Sequence, residues 1–241
     1  MTRRALFFRH MDDDTGGCFP QLLSDRGFDV SFVDWQNGES PKDLASVDLI
    51  VALGGAQQVW EEDEHPWLKA EKAFIRDAVE GRGMPYLGLC LGHQLLAEAL
   101  GGEVGPSVTP EIGIMDVQLT EEGASGVLFD GLPEVFPCLQ WHSAEITRLP
   151  AGGRVLATSP ACAVQAMKWG TRAYSVQFHL EIEPDTIPNW AAIPAYAEAL
   201  DKAMGEGAVG KFEADAAAGM REFNDMAERV YINWLQATAQ P

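Results

Sequence analysis

The chain predicts an α/β fold: a doubly wound, mostly parallel sheet with helices on both faces. Three observations predict it. Short apolar runs alternate with helix-period segments from residue 5 to residue 102. One of those runs, DLIVALGG, is apolar on both faces, as a strand buried between two helix layers is. Glycines close the expected helices, at Gly27 and at Gly101-Gly102. At 241 residues the chain is long enough for one sizeable core.

ALFFRH (5–10) predicts a buried strand, ended by the polar turn MDDDTGG. CFPQLLSDRG predicts a short helix stopping at Gly27. FDVSFVDW alternates as a second strand does, and QNGESPKDLASV predicts a loop with one helical turn. DLIVALGG (48–55) is the third strand. A helix follows, with Pro66 in its first turn, apolar residues at Trp67, Ala70, Phe74 and Ala78, and an end at EGRG. MPYLGLC predicts the fourth strand and LGHQLLAEALGG the helix after it.

After residue 103 the texture changes. GIMDVQL, FPCLQWH, RVLATSP, AVQAMKW and RAYSVQFH are short strands at close intervals, expected as a small antiparallel extension. Pro184, Pro188 and Pro194 mark an irregular joint. Phe212, Ala216, Met220, Phe223, Ala227, Val230 and Trp234 then recur every three or four residues, predicting a helix over 210–236. The expected organisation is a domain over 1–185 and a helical extension over 186–241 packed on it.

Charge narrows the function. The formal net charge is −19, from 17 basic and 36 acidic residues. Nucleic acid and anionic membrane are poor partners for such a surface, because neutralising phosphates takes clustered Lys and Arg. No segment approaches the length of a membrane span, and the N-terminal apolar run is too short for a secretory signal. Cys18, Cys90, Cys138 and Cys162 are widely spaced and form no disulfide framework. A cytoplasmic protein is expected. The phosphate-binding and dinucleotide-binding glycine patterns are both missing, so no ATP, NAD or other cofactor is expected.

The chemistry points to GLCLGHQ (88–94), where Cys90 sits at the junction of an expected strand and an expected helix. A sharp turn there needs small residues two before and two after its central residue, and these are Gly88 and Gly92. That is the mechanics of a nucleophile elbow, with cysteine in place of serine. The free N–H groups of the following helix favour a thiolate. A buried, inert cysteine would not need the glycines. A metal site built on Cys90 and His93 lacks the remaining ligands that zinc requires.

A thiol nucleophile needs a base. His179 lies at the end of a strand pattern, with Glu181 two residues on, on the same side of an extended chain. The carboxylate can fix the imidazole's tautomer and stabilise its charged form. The backbone N–H of Leu91 is one expected oxyanion donor, and Gly54-Gly55 at the end of the neighbouring strand offers a second.

GLCLGHQLLAEALGG, QWHSAEITRLPAGGRVLATSP and YSVQFHLE, in that order, resemble the class I (triad) glutamine amidotransferases over about residues 1 to 185. The similarity is greatest to the amidotransferase part of GMP synthetase and its free-standing relatives. The resemblance implies a flavodoxin-like sheet, with Cys90 as nucleophile, His179 as general base and acid, and Glu181 as its orienter. It implies Gly55 and Leu91 as oxyanion donors. Gln94, Trp141, His142 and Ser143 would face the glutamine backbone. Two positions depart from the family pattern. Ala56 stands where Gly-Gly-Pro is usual and Leu180 where His-Pro-Glu is usual, which predicts a looser oxyanion loop and a looser triad strand.

Three functions are compatible with such a chain. One is a free-standing hydrolase of glutamine or an N-substituted γ-glutamyl amide. Another is an ammonia-supplying subunit of a separate synthetase. The third is a non-enzymatic binding module, which the intact Cys90, His179 and Glu181 argue against. The C-terminal helices could cover a synthetase-docking face or pair two copies. The acidic loop Asp12-Asp13-Asp14 is expected at the same sheet edge as Cys90, where it could attract an amine.

Overall fold

The computed structural model describes residues 3–12 and 14–239. Its strands are β1 (Arg3–Arg9), β2 (Phe28–Asp34), β3 (Leu49–Ala52), β4 (Tyr86–Leu89), β5 (Glu103–Leu119), β6 (Val135–Arg148), β7 (Gly153–Thr158), β8 (Ala166–Trp169) and β9 (Ala173–Val176). The helices are α1 (Phe19–Ser24), α2 (Trp67–Arg76), α3 (Leu91–Ala99), α4 (Glu121–Ala124), α5 (Thr186–Ala191), α6 (Pro194–Met204) and α7 (Val209–Thr238). Among the described residues the strands form one nine-stranded sheet in the order β2-β1-β3-β4-β9-β8-β7-β5-β6.

The first five strands in that order are mutually parallel. Their order is that of a flavodoxin-like sheet, with β9 as the fifth strand. The strand alternation assigns the two faces. Ala5, Phe7, Leu49, Val51, Leu87 and Leu89 enter one apolar layer with α1, α5, α6 and α7. Leu6, Phe8, Ile50, Ala52 and Tyr86 enter the other, with α2 and α3. The doubly wound α/β architecture is the one the sequence predicts.

The antiparallel part is larger than expected, supplying four of the eight strand pairings. β5 and β6 form a long two-stranded arm with register shifts at Glu103/Val104 and Pro106/Glu111. Only the second half of β5 reads as a strand in sequence, because Gly105, Pro106 and Pro110 interrupt the first.

Other boundaries move by a few residues. Pro66 occupies the N-cap of α2 rather than its first turn, and the helix continues into a π turn at Asp77–Gly81. The helical turn expected after β2 is a 3₁₀ turn at Trp35–Asn37. β3 stops at Ala52, leaving Leu53, Gly54 and Gly55 outside the strand but still tied by the Leu53 N–H to the Phe8 carbonyl at 3.0 Å. Trp141, Phe129 and Phe136 share one hydrophobic cluster with Trp190, Tyr196, Leu200, Phe212 and Trp234. Residues 186–239 thus bury their apolar stripe against the same sheet face as α1. No helix of the described residues is long and apolar enough to cross a membrane.

Candidate active site

The end of β4 and the start of α3 meet at Cys90. Its backbone has φ 49° and ψ −102°, and it is the one non-glycine with positive φ among the described residues. Such a conformation is strained for an L-residue and persists only where its surroundings impose it. They do so through close packing. A Cβ on Gly88 would lie 2.4 Å from the Gly92 carbonyl oxygen, and one on Gly92 would lie 2.2 Å from the Ala52 carbonyl oxygen. Both glycines are therefore obligatory for this turn. Cys90 donates its N–H to the Val176 carbonyl (2.9 Å), and Gly92 donates to the Leu53 carbonyl (3.0 Å), which pins the elbow between β9 and the segment that follows β3.

His179 follows β9 and is held by an isolated bridge to β6, its N–H donating to the Leu139 carbonyl at 2.9 Å and its own carbonyl accepting at 3.1 Å. Ser175, Gln177 and His179 alternate on one buried face of this segment. Glu181 accepts from His179 Nδ1 at 2.5 Å through Oε1. Its other oxygen accepts the Leu180 N–H at 2.9 Å. A proline at position 180 has no such N–H to give. The looser triad strand expected from Leu180 is thus offset by a bond that only a non-proline residue supplies.

Burial pulls the His179 pKa down, but the Glu181 charge and hydrogen bonds with Cys90 and Glu181 outweigh it and push it up to about 10. A protonated imidazole beside the Cys90 thiol is the partner that a thiolate needs. The Trp190 ring meets the imidazole edge to face at 4.7 Å, and the His179 side chain is buried. The other three thiols are held in their neutral form. Burial pushes Cys18 and Cys162 up to about 12 and also raises Cys138.

The remaining sequence-predicted residues come together around one cavity of about 50 Å³, lined by Gly55, Cys90, Leu91, Gln94, Trp141, His142 and Ser143. Among the described residues, no protein acceptor takes up the N–H of Gly55 or of Leu91. For Leu91 this follows from its place in the first turn of α3, which leaves N–H groups free. Gln94 is buried, donating to Gln177 Oε1 at 3.0 Å, and Gln177 in turn donates to Cys90 Sγ at 3.4 Å. Trp141 Nε1 donates to the Tyr196 carbonyl at 3.3 Å. His142 Nδ1 donates to the Ala144 carbonyl at 3.0 Å, and its Nε2 lies 3.3 Å from Glu111. His93 is turned away from Cys90, bonded through Nδ1 to Ser175 and through Nε2 to the Val164 carbonyl. Burial drops its pKa to about 3, so it is a neutral packing histidine.

Sequence reasoning missed several residues here. Ala195, Tyr196 and Ala199 of α6 also line the cavity. Gln177 was readable from the polar alternation Ser175, Gln177, His179. The acidic loop divides. Asp12 is exposed and bonded to Gln36 and Asn37, whereas Asp14 is buried, accepts the Gly16 N–H at 2.9 Å, and has its carboxyl pKa raised by burial and by Glu181. Asp13 lies outside the described residues.

A family model, Glutamine amidotransferase class-I, matches residues 19–189. The chain belongs to the class-I glutamine amidotransferase family. It is 31% identical over 188 residues to the putative glutamine amidotransferase-like protein YfeJ of Salmonella typhimurium, covering 76% of this chain and 78% of that one. It is 35% identical over 146 residues to one subunit of the glutamine-hydrolyzing GMP synthase of Sulfolobus acidocaldarius, covering 60% of this chain and 73% of that one. A crystal structure of a glutamine amidotransferase from Thermotoga maritima superimposes with a TM-score of 0.85 at 25% identity, over 100% of both chains.

Proposed function

We propose that the protein hydrolyses γ-glutamyl amide bonds, in glutamine or an N-substituted γ-glutamyl amide, through a γ-glutamyl thioester on Cys90. The observation that carries this is the strained elbow conformation of Cys90, beside an imidazole that a buried carboxylate keeps protonated.

The Cys90 thiolate attacks the γ-carbonyl carbon, and the carbonyl π pair moves onto oxygen. The N–H groups of Gly55 and Leu91 receive that oxyanion, an effect worth roughly 3 kcal/mol per donor. Collapse expels the amide nitrogen, which takes its proton from His179. Water then gives a proton to the neutral His179 and attacks the thioester, and the Cys90 sulfur leaves as thiolate, releasing glutamate. Glu181 holds the imidazole in the required tautomer throughout. Gln94, Trp141, His142 and Ser143 face the glutamyl portion. The chain's own residues supply every step, with no cofactor. The cytoplasm, where thiols stay reduced, is the proposed place of action.

A second role is to supply ammonia to a separate synthetase, favoured by the similarity to the GMP synthase subunit of Sulfolobus acidocaldarius. The free-standing hydrolase is favoured by α6, whose Ala195, Tyr196 and Ala199 stand against the cavity. The test is turnover of the purified chain alone on glutamine and a panel of γ-glutamyl amides, with its mass in solution measured alongside to show whether it pairs. Robust turnover without a partner supports the hydrolase. Activity that appears only with a synthetase supports the ammonia-supplying role. Cys90→Ala should lower turnover by at least about 10³-fold, and unchanged turnover in that variant sinks the mechanism.

A further inference from the structure

A buried ion pair outside the triad stands behind the oxyanion loop. His10 follows β1 and Glu71 lies on the core-facing stripe of α2, between Leu68 and Ile75, and both are fully buried. His10 Nε2 lies 3.0 and 3.1 Å from the two Glu71 carboxylate oxygens. His10 Nδ1 donates to the Gly54 carbonyl at 2.9 Å. The ring stacks on Trp67 with centroids 5.5 Å apart.

We infer that His10 and Glu71 are positioning residues that aim the Gly55 N–H at the oxyanion. This rests on the γ-glutamyl hydrolase proposed above. The Gly54 carbonyl and the Gly55 N–H belong to one peptide unit, and the described residues contain no cis peptide bond. In a planar trans peptide the C=O and N–H point in opposite directions. Clamping the carbonyl on the His10 side therefore sends the N–H to the opposite side, into the cavity with Cys90.

The loop needs such a clamp. Two glycines in succession leave the backbone free, and Ala56 lacks the fixed φ of a proline. A side chain at Gly55 would not stiffen the loop without moving its neighbours, because a Cβ there would lie 2.5 Å from Leu91 Cδ2 and 3.0 Å from His10 Cβ. The clamp is made strong by charge. A carbonyl can only accept, so Nδ1 carries a proton, and Nε2 facing a carboxylate carries the second. Burial alone would lower the His10 pKa, but Glu71 raises it above its ordinary value. An imidazolium donor polarises the amide it bonds and strengthens that amide's own N–H as a donor. A buried ion pair adds little net stability compared with apolar residues of the same size, so orientation is what this one supplies.

The experiment compares two double variants in the full chain. His10→Phe with Glu71→Leu removes the clamp and leaves no orphaned charge. His10→Asn with Glu71→Leu keeps a side-chain N–H for the Gly54 carbonyl. Three rates are read: kcat and KM on γ-glutamyl p-nitroanilide, Cys90 acylation by p-nitrophenyl acetate, and Cys90 alkylation by iodoacetamide. Acylation passes through an oxyanion and needs no γ-glutamyl recognition, whereas alkylation at a tetrahedral carbon forms no oxyanion.

In the Phe/Leu variant, kcat and acylation should each fall about tenfold or more, with KM and alkylation within about twofold of wild type. The Asn/Leu variant should recover most of the loss. Unchanged acylation in Phe/Leu, alkylation falling in step with acylation, or an Asn/Leu variant no better than Phe/Leu overturns the inference. A wild-type enzyme that is acylated by the acetate ester yet turns over no γ-glutamyl amide sinks the hydrolase instead, and the acylation rates still decide the role of His10.

Discussion

Gly92→Ala sets two effects of known sign against each other. Gly92 is the second residue of α3, and alanine there should gain up to about 1 kcal/mol of helix propensity. The new Cβ, however, would lie 2.2 Å from the Ala52 carbonyl oxygen and 2.7 Å from the Ala52 carbonyl carbon, both backbone atoms of β3. Real Cβ contacts do not fall below 3.0 Å, so α3 and β3 must separate by about 0.8 Å. Overpacking of this kind costs about 1–3 kcal/mol, or about 2–4 °C of Tm per kcal/mol in a chain of this size. The displacement also carries the Cys90 elbow and the Leu91 N–H with it, and ångström-scale misplacement of a reacting group costs about 10²-fold in rate. Gly210 is the matched control: it is also the second residue of its helix, α7, and a Cβ there meets nothing within 4 Å. Thermal unfolding and turnover on an activated γ-glutamyl substrate should show Gly210→Ala stabilised and fully active, and Gly92→Ala destabilised and slowed about 10²-fold. A Gly92→Ala enzyme that melts no lower than Gly210→Ala and retains wild-type turnover would refute the account of the elbow.

Turnover should hold across neutral pH and fall as His179 loses its proton near 10, and Glu181→Gln should move that alkaline limb downward, read from kcat profiles of the two enzymes. The same raised pKa bears on folding. Its stabilisation is complete below the ordinary value of 6.5 and is lost as pH rises through about 10, so wild type should lose more stability than Glu181→Gln in unfolding measurements across that window. Leu180→Ala should cost about 2–4 kcal/mol from the buried side chain while leaving the kcat profile in place, because the N–H to Glu181 belongs to the backbone. A shifted alkaline limb in Leu180→Ala would place the side chain, rather than the N–H, in control of Glu181.

The parallel half of the fold was legible because β3 and β4 are buried on both faces and appear as unbroken apolar runs, while β2 shows the alternation of a half-covered strand. The elbow was legible because steric demand fixes glycine at two defined places. His179 and Glu181 were legible because a period of two puts them on one side. The first half of β5 was not, since Glu103–Pro106 is held as a strand by pairing with β6, and Pro106 and Pro110 around the register shift disguise it. His10 escaped notice because its meaning lies in residues 44 and 61 positions away, Gly54 and Glu71. A signal was nevertheless present: Glu71 falls on the same helical stripe as Leu68 and Ile75, and a carboxylate at a core position calls for a cationic partner. Tyr196 had no local signature, because its position over the cavity depends on how the C-terminal helices fold back.

The placement of α6 has a consequence for the rhythm of catalysis. α6 contributes Ala195, Tyr196 and Ala199 to the wall of the narrow cavity at Cys90. α6 is bounded by extended Ile193 on one side and by Gly205, with φ 90°, on the other. Both flanks can absorb rotation without breaking a helical hydrogen bond. Widening the cavity for a larger leaving group therefore falls to Pro194–Met204, a displacement of the microsecond-to-millisecond class. Added viscogen should then lower kcat/KM for a bulky γ-glutamyl amide while leaving kcat, set by the chemical steps, unchanged.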